Sequence, residues 1–371
     1  MPGFIGKRGA RRAGSEVPQA ARIRGVNLSG WLIVEPWVTP SLFAATGASN
    51  EAELERVLGW DEYADRVIKH YNSFITEDDF RRIALAGFNS VRLPVPWHVF
   101  DTEGAALRHP VCVSCVDHAL DWAEKHGLTV LLDLGTVPGG QGDSNASPTT
   151  PASMAEWHSS TNGRHVALHV LDELASRYGE RPGLAGIELL DSPVMRRRRG
   201  LTVTEGIPGH YLRNFYRDAY EVVRLHMPSS KAVVVSASGQ PEAWRGFMRG
   251  PRYQNVWIDL HLYHYRGEFA QDISTPAGLS AAIARNKRAV REARETGMSV
   301  LVGEWSAAAV LPDSVMTPEG RIAYERVFTS SQLASFDAAD GWYFQTWKTE
   351  RRIPAWDARA ALASFERGMM E

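Results

Sequence analysis

The 371-residue chain has few of the features that place a protein in a membrane or outside the cell. It contains no apolar run near the roughly 18–20 residues that a membrane-spanning helix needs. Its first residues are basic, but they lack the apolar segment of about 7–15 residues that is found in a secretory signal peptide. These absences predict a cytoplasmic protein with no membrane partner, in which residues 1–20 form a disordered basic tail.

Cysteine is almost absent as well. The two cysteines, Cys112 and Cys115, have the spacing of a redox pair, but such a pair normally follows a strand in a thioredoxin-like unit. Here they stand at the start of VSCVDHALDWAEKHG, a segment whose apolar residues have helical periodicity. We therefore expect two buried thiols rather than a redox centre.

An excess of charge of either sign is also missing. The chain has 41 basic and 43 acidic residues, and its net charge of −2 gives no reason to expect a nucleic acid or an anionic membrane as a partner. It has no H-E-x-x-H sequence, no paired Cys and His ligands, no G-K-[ST] phosphate loop and no G-x-S-x-G nucleophile turn. The sequence therefore predicts no metal ion and no cofactor.

The chain does contain a regular alternation of strand and helix patterns. Apolar runs that predict strands occupy residues 21–28, 88–95, 128–135, 184–191, 232–238, 255–263, 298–306 and 341–349. Helical segments lie between them; in one of these, Thr76 precedes an acidic first turn and Gly87 marks the end. Eight such units predict an α/β fold, a single (β/α)₈ TIM barrel over residues 21–371. A doubly wound open sheet is the alternative, but it usually begins with a glycine-rich turn that RGVNLSGW does not match.

Polar residues at the carboxyl ends of the predicted strands indicate where a pocket forms, because in such a barrel these ends converge on one face. They are Asn27, Arg92, Asp133, Asp191, Ser192, Ser238, His261, Tyr263, Glu304 and Trp347. A carboxylate among arginine, histidine and aromatic residues indicates a carbohydrate site, since aromatic rings stack on the apolar faces of sugars. The irregular stretch 136–157 follows the third strand, so we expect it to be a wall or lid of the same pocket.

Several segments resemble, in the same order, the exo-β-1,3-glucanase branch of glycoside hydrolase family 5. GVNLSGWLIVEPWVTPSLF is similar to its opening signature, and ITEDDFRRIALAGFNSVRLPV to the segment that carries its pocket arginine, here Arg92. DLHLYHY resembles its D-x-H-x-Y strand and places His261 and Tyr263, while VLVGEWS resembles its nucleophile strand and places Glu304. GWYFQTWKTE is similar to its closing strand. The matches span roughly residues 22 to 350, which supports the prediction of one barrel.

The resemblance implies a retaining mechanism. Two carboxyl groups about 5–5.5 Å apart act together: one attacks the anomeric carbon, and the other protonates the leaving oxygen and then activates water. Glu304 stands where the family has its nucleophile, and Tyr263, His261 and Arg92 stand where residues hold that nucleophile and stabilise its charge. The resemblance further implies substrate binding by Glu35, Trp37, Asp133, Asp191, Ser192, Gln345 and Trp347.

The sequence departs from the family pattern at four positions of this pocket. Ser192 replaces the general acid/base glutamate, and a hydroxyl group cannot supply a proton of suitable pKa. Asp191 replaces an asparagine, Gly135 a histidine and Gln345 the tryptophan floor. Strand alternation predicts that Asp191 faces away from position 192, and that Glu188, on the same side as Ser192, lies roughly 13 Å lower by strand rise. Neither carboxyl group is therefore expected to replace the missing acid.

Three hypotheses about function follow. The first is a pseudoenzyme that binds a carbohydrate or glycoside and hydrolyses it poorly or not at all. The second is an active enzyme, either on a β-glycoside with a good leaving group or as a barrel repurposed for small-molecule chemistry through Glu304. The third is an interaction scaffold with a vestigial pocket, which need not have kept Glu304 and its three neighbours. The expected partner is a small-molecule glycoside or an oligosaccharide, and the sequence leaves the oligomeric state open.

Overall fold

The computed structural model describes residues 22–100, 109–142, 156–199, 202–265, 270, 272–311 and 317–362. Within these ranges, eight parallel strands close into a barrel. They are β1 (Ile23–Asn27), β2 (Ser90–Val95), β3 (Thr129–Leu134), β4 (Leu184–Glu188), β7 (Ala232–Ser236), β8 (Val256–His264), β9 (Ser299–Ala309) and β10 (Gly341–Phe344). Two short strands, β5 (Arg198–Arg199) and β6 (Thr202–Val203), pair antiparallel outside the barrel. The predicted single (β/α)₈ barrel is confirmed, and each predicted strand segment contains a strand.

Helices follow the strands around the barrel. They are α1 (Glu51–Leu58), α2 (Trp60–Ser73), α3 (Glu77–Leu85), α4 (Val113–His126), α5 (Thr161–Tyr178), α6 (Gly209–Arg224), α7 (Pro276–Arg294), α8 (Pro318–Ser335) and the short α9 (Ala358–Ala361). None of the helices in the described ranges is long and apolar enough to cross a membrane. Cys112 and Cys115 are free and buried at the start of α4, as predicted.

The barrel closes by pairing the first strand with the last. β1 lies between β10 and β2, with Ile23 opposite Gly341 and Asn27 opposite Arg92. Thr346, just after β10, donates a hydrogen bond of 2.7 Å from its hydroxyl to the carbonyl oxygen of Asn27. The two ends of the barrel sequence therefore form one continuous sheet.

Alternating side chains divide the core into two layers. Residues that point outward from the strands pack with the helices in the main apolar cluster. Those that point inward form a smaller cluster of Leu131, Ala232, Val234, Leu301 and Tyr343. The ring of Tyr343 lies against Gly25, where a Cβ atom would come within 2.2 Å of it. Gly25 is therefore required for this aromatic side chain to fit in the barrel.

Two predicted segments lie wholly or partly outside the described residues. The tail over residues 1–20 is one, and residues 143–155 of the stretch 136–157 are the other. In the described start of that stretch, Gln141 donates from its side-chain amide to the carbonyl oxygens of Gly135, at 2.7 Å, and of Asp191, at 3.2 Å. This part of the stretch packs beside the end of β4, on the face where the prediction placed it.

Candidate active site

A cavity of about 550 Å³ opens at the carboxyl ends of the barrel strands, a volume typical of small-molecule pockets. Its polar lining consists of Ser29, Glu35, Asp191, Ser192, His261, Tyr263, Glu304 and Gln345. Its aromatic and apolar lining includes Ile33, Trp37, Tyr265 and Trp356. Eight of the eleven residues predicted for the site, from five different strand ends and loops, thus line one cavity.

Glu304, near the middle of β9, accepts hydrogen bonds at both carboxylate oxygens. Its Oε1 accepts from Nη1 of Arg92 at 3.1 Å, and its Oε2 accepts from the hydroxyl of Tyr263 at 2.8 Å. Nδ1 of His261 lies 3.1 Å from the same Oε2. Burial opposes the charged form, but the charge and hydrogen bond of His261, followed by Arg92 and Tyr263, outweigh it and lower the pKa of Glu304 to about 2. Glu304 is therefore held as a carboxylate.

Arg92 lies fully buried beneath Glu304, among four carboxyl groups. Its Nε donates to Glu188 at 2.9 Å, and its Nη2 donates to Asp191 at 2.9 Å and lies 3.2 Å from Asp133. One guanidinium does not balance four negative charges. Burial, together with repulsion from neighbouring carboxyl groups, outweighs the attraction of Arg92, so it raises the pKa of Glu188 to about 8 and also raises the pKa values of Asp133 and Asp191.

His261 on β8 connects Glu304 to two further residues. Its Nε2 lies 2.9 Å from Oδ2 of Asp259, and its Nδ1 lies 3.1 Å from Oγ of Ser192. Burial favours the neutral imidazole, but the charges of Glu304 and Asp259 outweigh it and raise the pKa of His261 well above its ordinary value. His261 is therefore an imidazolium between two carboxylates, with a serine hydroxyl at the same nitrogen that faces Glu304.

Ser192 and Asp191 both face the pocket, so the prediction that Asp191 faces away from position 192 is wrong. The reason is that β4 ends at Glu188, and strand alternation does not extend to residues 191 and 192. Ser192 has a φ of 41°, a left-handed conformation that turns the chain after Asp191. Asp191 uses this turn to reach Arg92, while the Ser192 hydroxyl reaches His261.

Glu35 and Trp37 form another wall of the pocket. Nε1 of Trp37 donates to Oε2 of Glu35 at 2.8 Å. Burial, opposed by this hydrogen bond and reinforced by the charge of Glu304, raises the pKa of Glu35 to about 8. Trp37 also packs against Trp356 with ring centroids 5.1 Å apart. This wall thus offers a protonated carboxyl group and aromatic surface to a ligand.

Five of the ten predicted strand-end residues do not line the pocket, and two of them, Asn27 and Arg92, are fully buried. Asp133 is fully buried beside Arg92, beneath the cavity. Trp347 does not line the cavity either, so the prediction that it binds substrate is wrong. It follows the end of β10 at Phe344, and its side chain turns towards α3, where its Nε1 donates to Asp79 at 2.9 Å. Ser238, with a φ of 52°, follows β7 outside the lining. Gln345 does line the pocket and accepts a hydrogen bond of 2.8 Å from Ser29.

Sequence reasoning missed several contributors. Asp259 lies in the motif DLHLYHY, but its contact with His261 could not be predicted from the sequence and becomes visible only in the folded barrel. Trp356 follows the last strand, where no element was predicted, and it packs against Tyr265 with ring centroids 4.9 Å apart. Ile33 occupies the space over Gly135, where a Cβ atom would lie 2.4 Å from its Cδ1. Tyr265 and Ile33 stood within matched segments, whereas Trp356 carried no signal of its own.

Two groups of side chains within the described ranges bring possible metal ligands within 4.8 Å of one another. In the first group, Glu188 and Asp191 already pair with the guanidinium of Arg92, and His261 pairs with Asp259. The other group, Glu51, His98 and His109, lies away from the pocket. Its histidine rings stack with centroids 3.7 Å apart and planes 12° from parallel, so their in-plane lone pairs do not converge on one ion. Neither arrangement supports a metal-dependent reaction in the pocket.

Comparison with known proteins places these observations in a family context. The family model for cellulase, glycosyl hydrolase family 5, matches residues 49–317. The probable glucan 1,3-beta-glucosidase A of Emericella nidulans is 32% identical over 93% of this chain and 89% of its own length. The protein of the same name from Aspergillus niger is 30% identical over 92% of this chain and 86% of its own length.

Solved structures share the barrel. The rutinosidase from Aspergillus niger has a TM-score of 0.74 at 18% identity, covering 94% of this chain and 97% of that chain. The structure of AoRut has a TM-score of 0.75, also at 18% identity, over 94% of this chain and 96% of that chain. At this level of identity the likeness concerns the fold alone.

Proposed function

Because the chain belongs to glycosyl hydrolase family 5, we propose that its pocket binds a β-glycoside and that Glu304 is the nucleophile. We further propose that it hydrolyses unactivated glucan poorly, since position 192 lacks a carboxyl group. One observation carries the proposal: a firmly ionised Glu304 shares the pocket with Ser192, whose side chain ends in a hydroxyl. The names of the relatives, glucan 1,3-beta-glucosidases, support a β-linked glucoside as the substrate class.

The contacts of Glu304 support a nucleophilic role. A carboxylate attacks carbon only in its charged form, and Arg92, Tyr263 and His261 keep it charged at neutral pH. The same three groups fix both oxygens, so the attacking atom needs little reorganisation. A residue kept only for structure would not need this combination at the surface of a cavity.

The chemistry of Ser192 supports slow hydrolysis. General acid–base help is worth about 10²- to 10⁴-fold, or roughly 3–5 kcal/mol of activation free energy. Asp191, the carboxyl group next to Ser192 in the sequence, is bound to Arg92. A glycoside whose leaving group departs without a proton does not need this help, so Glu304 can still be glycosylated by it.

An activated aryl β-glucoside tests the proposal. We expect a mass increase of one glycosyl unit on the intact protein, which Glu304→Ala and the isosteric Glu304→Gln both abolish. The adduct should persist, because the group that activates water in the second step is the one that is missing. Azide needs no base, so it should accelerate turnover and yield a β-glycosyl azide.

Two controls sharpen this experiment. Ser192→Glu should accelerate hydrolysis, and unactivated β-1,3-glucan should release negligible reducing sugar with the unaltered protein. Turnover of that glucan on the order of 10 s⁻¹ would show that another group protonates the leaving oxygen. If no activated β-glycoside gives an adduct or azide rescue, Glu304 is not a glycosidase nucleophile.

A second candidate is a barrel adapted to a different small molecule. The apolar side chain of Ile33 fills the wall over Gly135, where the family resemblance implies a histidine, and this observation favours it. Gln345, in place of a tryptophan floor, changes the wall beside it. A panel of activated glycosides with different sugars distinguishes the two: labelling of Glu304 by a sugar other than glucose supports the altered pocket.

A further inference from the structure

We propose that Ser192 and His261 form a proton relay that replaces, in part, the carboxyl group missing at position 192. The inference rests on the proposed function and adds a path for the proton to the same site. In this relay the Ser192 hydroxyl exchanges a proton with the leaving oxygen or with water, and His261 exchanges one with Ser192.

The geometry supplies a continuous chain of contacts. Oγ of Ser192 lies 3.1 Å from Nδ1 of His261, and Nε2 of His261 lies 2.9 Å from Oδ2 of Asp259. Asp259 is buried, and its other oxygen accepts a hydrogen bond from the N–H of Gly303. A Cβ atom at Gly303 would lie 2.1 Å from Asp259, so the absence of a side chain there lets the carboxylate sit beneath His261.

The backbone also directs the serine. Ser192 has a φ of 41°, which a non-glycine residue rarely adopts and which holds its hydroxyl at the pocket surface facing His261. This is the position where the family resemblance implies the acid/base. The hydroxyl therefore lies where a leaving oxygen would need its proton.

The charge of Glu304 couples the relay to the chemistry. Nδ1 of His261 lies 3.1 Å from both Ser192 Oγ and Glu304 Oε2. While Glu304 is ionised, it helps to hold the proton on His261. Once Glu304 is bonded to the sugar its charge is gone, so the pKa of His261 falls and the imidazolium becomes a stronger acid. The proton is therefore released as the leaving oxygen needs it.

Both steps balance. In the first, an oxygen of Glu304 forms a bond to the anomeric carbon as the bond to the leaving oxygen breaks; Ser192 gives its proton to that oxygen and takes one from His261. In the second, water attacks the anomeric carbon and gives a proton to Ser192, which passes its own to the neutral His261. The bond to Glu304 breaks, and its returning negative charge again stabilises the imidazolium.

The same contacts do not favour Ser192 as a nucleophile. A Ser-His-Asp triad needs a neutral histidine that can accept the serine proton. Here His261 lies between Asp259 and ionised Glu304, which hold it in the protonated form. In the resting protein it can donate a proton towards Ser192 but cannot withdraw one.

Decay of the glycosylated protein tests the relay. The unaltered protein, Ser192→Ala and Ser192→Gly are glycosylated with the same activated aryl β-glucoside, and loss of the adduct is followed by intact mass. We expect decay in water to be about tenfold slower in both variants, a part of the usual acid–base contribution. Decay with azide should be equal in all three, because azide needs no base. Alanine keeps the backbone strain of Ser192 and glycine relieves it, so a common loss reports the hydroxyl.

The pH dependence identifies the histidine. The titratable groups around His261 are Asp259, Glu304, Asp191, with an oxygen 3.7 Å from Nε2, and Glu188, with an oxygen within 4.8 Å of a ring nitrogen. With Glu304 esterified, decay in water should rise with pH as His261 becomes neutral, and Ser192→Ala should remove that rise. Asp191→Asn should keep the rise but move it to lower pH, because it removes one negative charge beside the imidazolium.

The possible results distinguish failure of the relay from failure of the proposed function. If adducts form in all three proteins and decay equally in water, the relay is wrong and the proposed function stands. A loss in Ser192→Ala that is absent in Ser192→Gly assigns the effect to backbone strain and also overturns the relay. Failure of the unaltered protein to form any adduct overturns both proposals.

Discussion

The side chain of Ile33 fills the space that a side chain at Gly135 would need. A Cβ atom at Gly135 would come within 2.4 Å of Cδ1 of Ile33 and 3.2 Å of Cβ of Pro94. A histidine at 135, which the family resemblance implies, would require the space that Ile33 fills. The apolar wall therefore leaves no room for a larger side chain at Gly135.

A double-mutant cycle tests this coupling. Gly135→His alone should lower the free energy of unfolding by about 1–3 kcal/mol, because it overpacks the wall. In an Ile33→Ala background the same change should cost less, with a coupling of about 0.5–3 kcal/mol measured by denaturant unfolding. Strict additivity would show that Ile33 moves aside freely.

The residue scale also shows the limits of sequence reasoning. The motifs predicted a shared site for Glu304, Tyr263, His261 and Arg92, because strand ends in a barrel converge. The orientation of Asp191 could not, since it depends on where β4 stops and on a left-handed φ at Ser192 that no local pattern marks. Trp347 was misplaced for a similar reason, because it lies beyond the end of β10.

Among the elements, α3 is tied to the segment after β10 through one carboxylate. Asp79, in the first turn of α3, accepts from the N–H of Thr76 at 3.0 Å, from Nε1 of Trp347 at 2.9 Å and from Nζ of Lys348 at 2.7 Å. The predicted start of this helix at Thr76 is confirmed. The helix cap and the closing segment of the barrel therefore share an acceptor.

Removal of that acceptor should be costly. We expect Asp79→Ala to lower the free energy of unfolding by about 3 kcal/mol, since it leaves a buried indole N–H and an ammonium without their partner. Thr76→Ser, which keeps the cap, should change it by less than about 0.5 kcal/mol. Equal stability of Asp79→Ala and the unaltered protein in thermal and denaturant unfolding would contradict this role.

Across the whole molecule, several buried groups bind protons more tightly when folded. Burial raises the pKa of Glu51 to about 7, and burial with nearby negative charge raises those of Glu35 and Glu188 to about 8. The unfolded chain releases these protons near pH 4.5, so folded protein holds more protons and loses stability as pH rises towards 8. The pKa of His261 is also raised, so its contribution to stability likewise decreases as the pH rises above 6.5.

Other histidines act in the opposite direction at lower pH. Burial lowers the pKa values of His98, His109 and His264. These histidines contribute stability above pH 6.5 and lose it as the pH falls. Below pH 6.5 they therefore lower the stability, while the buried carboxyl groups raise it. We therefore expect the melting temperature to fall between pH 6.5 and 8, where the carboxyl groups and His261 act without this opposition.

Glu51 isolates one part of this pH effect. Its Oε1 accepts from the hydroxyl of Tyr63 at 2.6 Å, while Oε2 is buried without a partner. Its shift from 4.5 to about 7 corresponds to roughly 3 kcal/mol of stability lost at high pH. As the pH rises from 5 to 7, the melting temperature of Glu51→Gln should rise relative to that of the unaltered protein, whereas exposed Glu62→Gln should keep a constant difference from it. An unaltered slope in Glu51→Gln would count against this assignment.

The pairing of β1 with β10 determines when the barrel can close during synthesis of the chain. Thr346 and Asn27, which share a hydrogen bond at the seam, are 319 residues apart along the chain. A ribosome adds about 5–20 residues per second, so β1 waits many seconds for its second partner while the rest is synthesised. During that interval the nascent barrel exposes an unpaired strand edge that can join other chains. Closure of the ring therefore waits until β10 has been synthesised, and a chain cut short before β10 is left with an open sheet that invites aggregation.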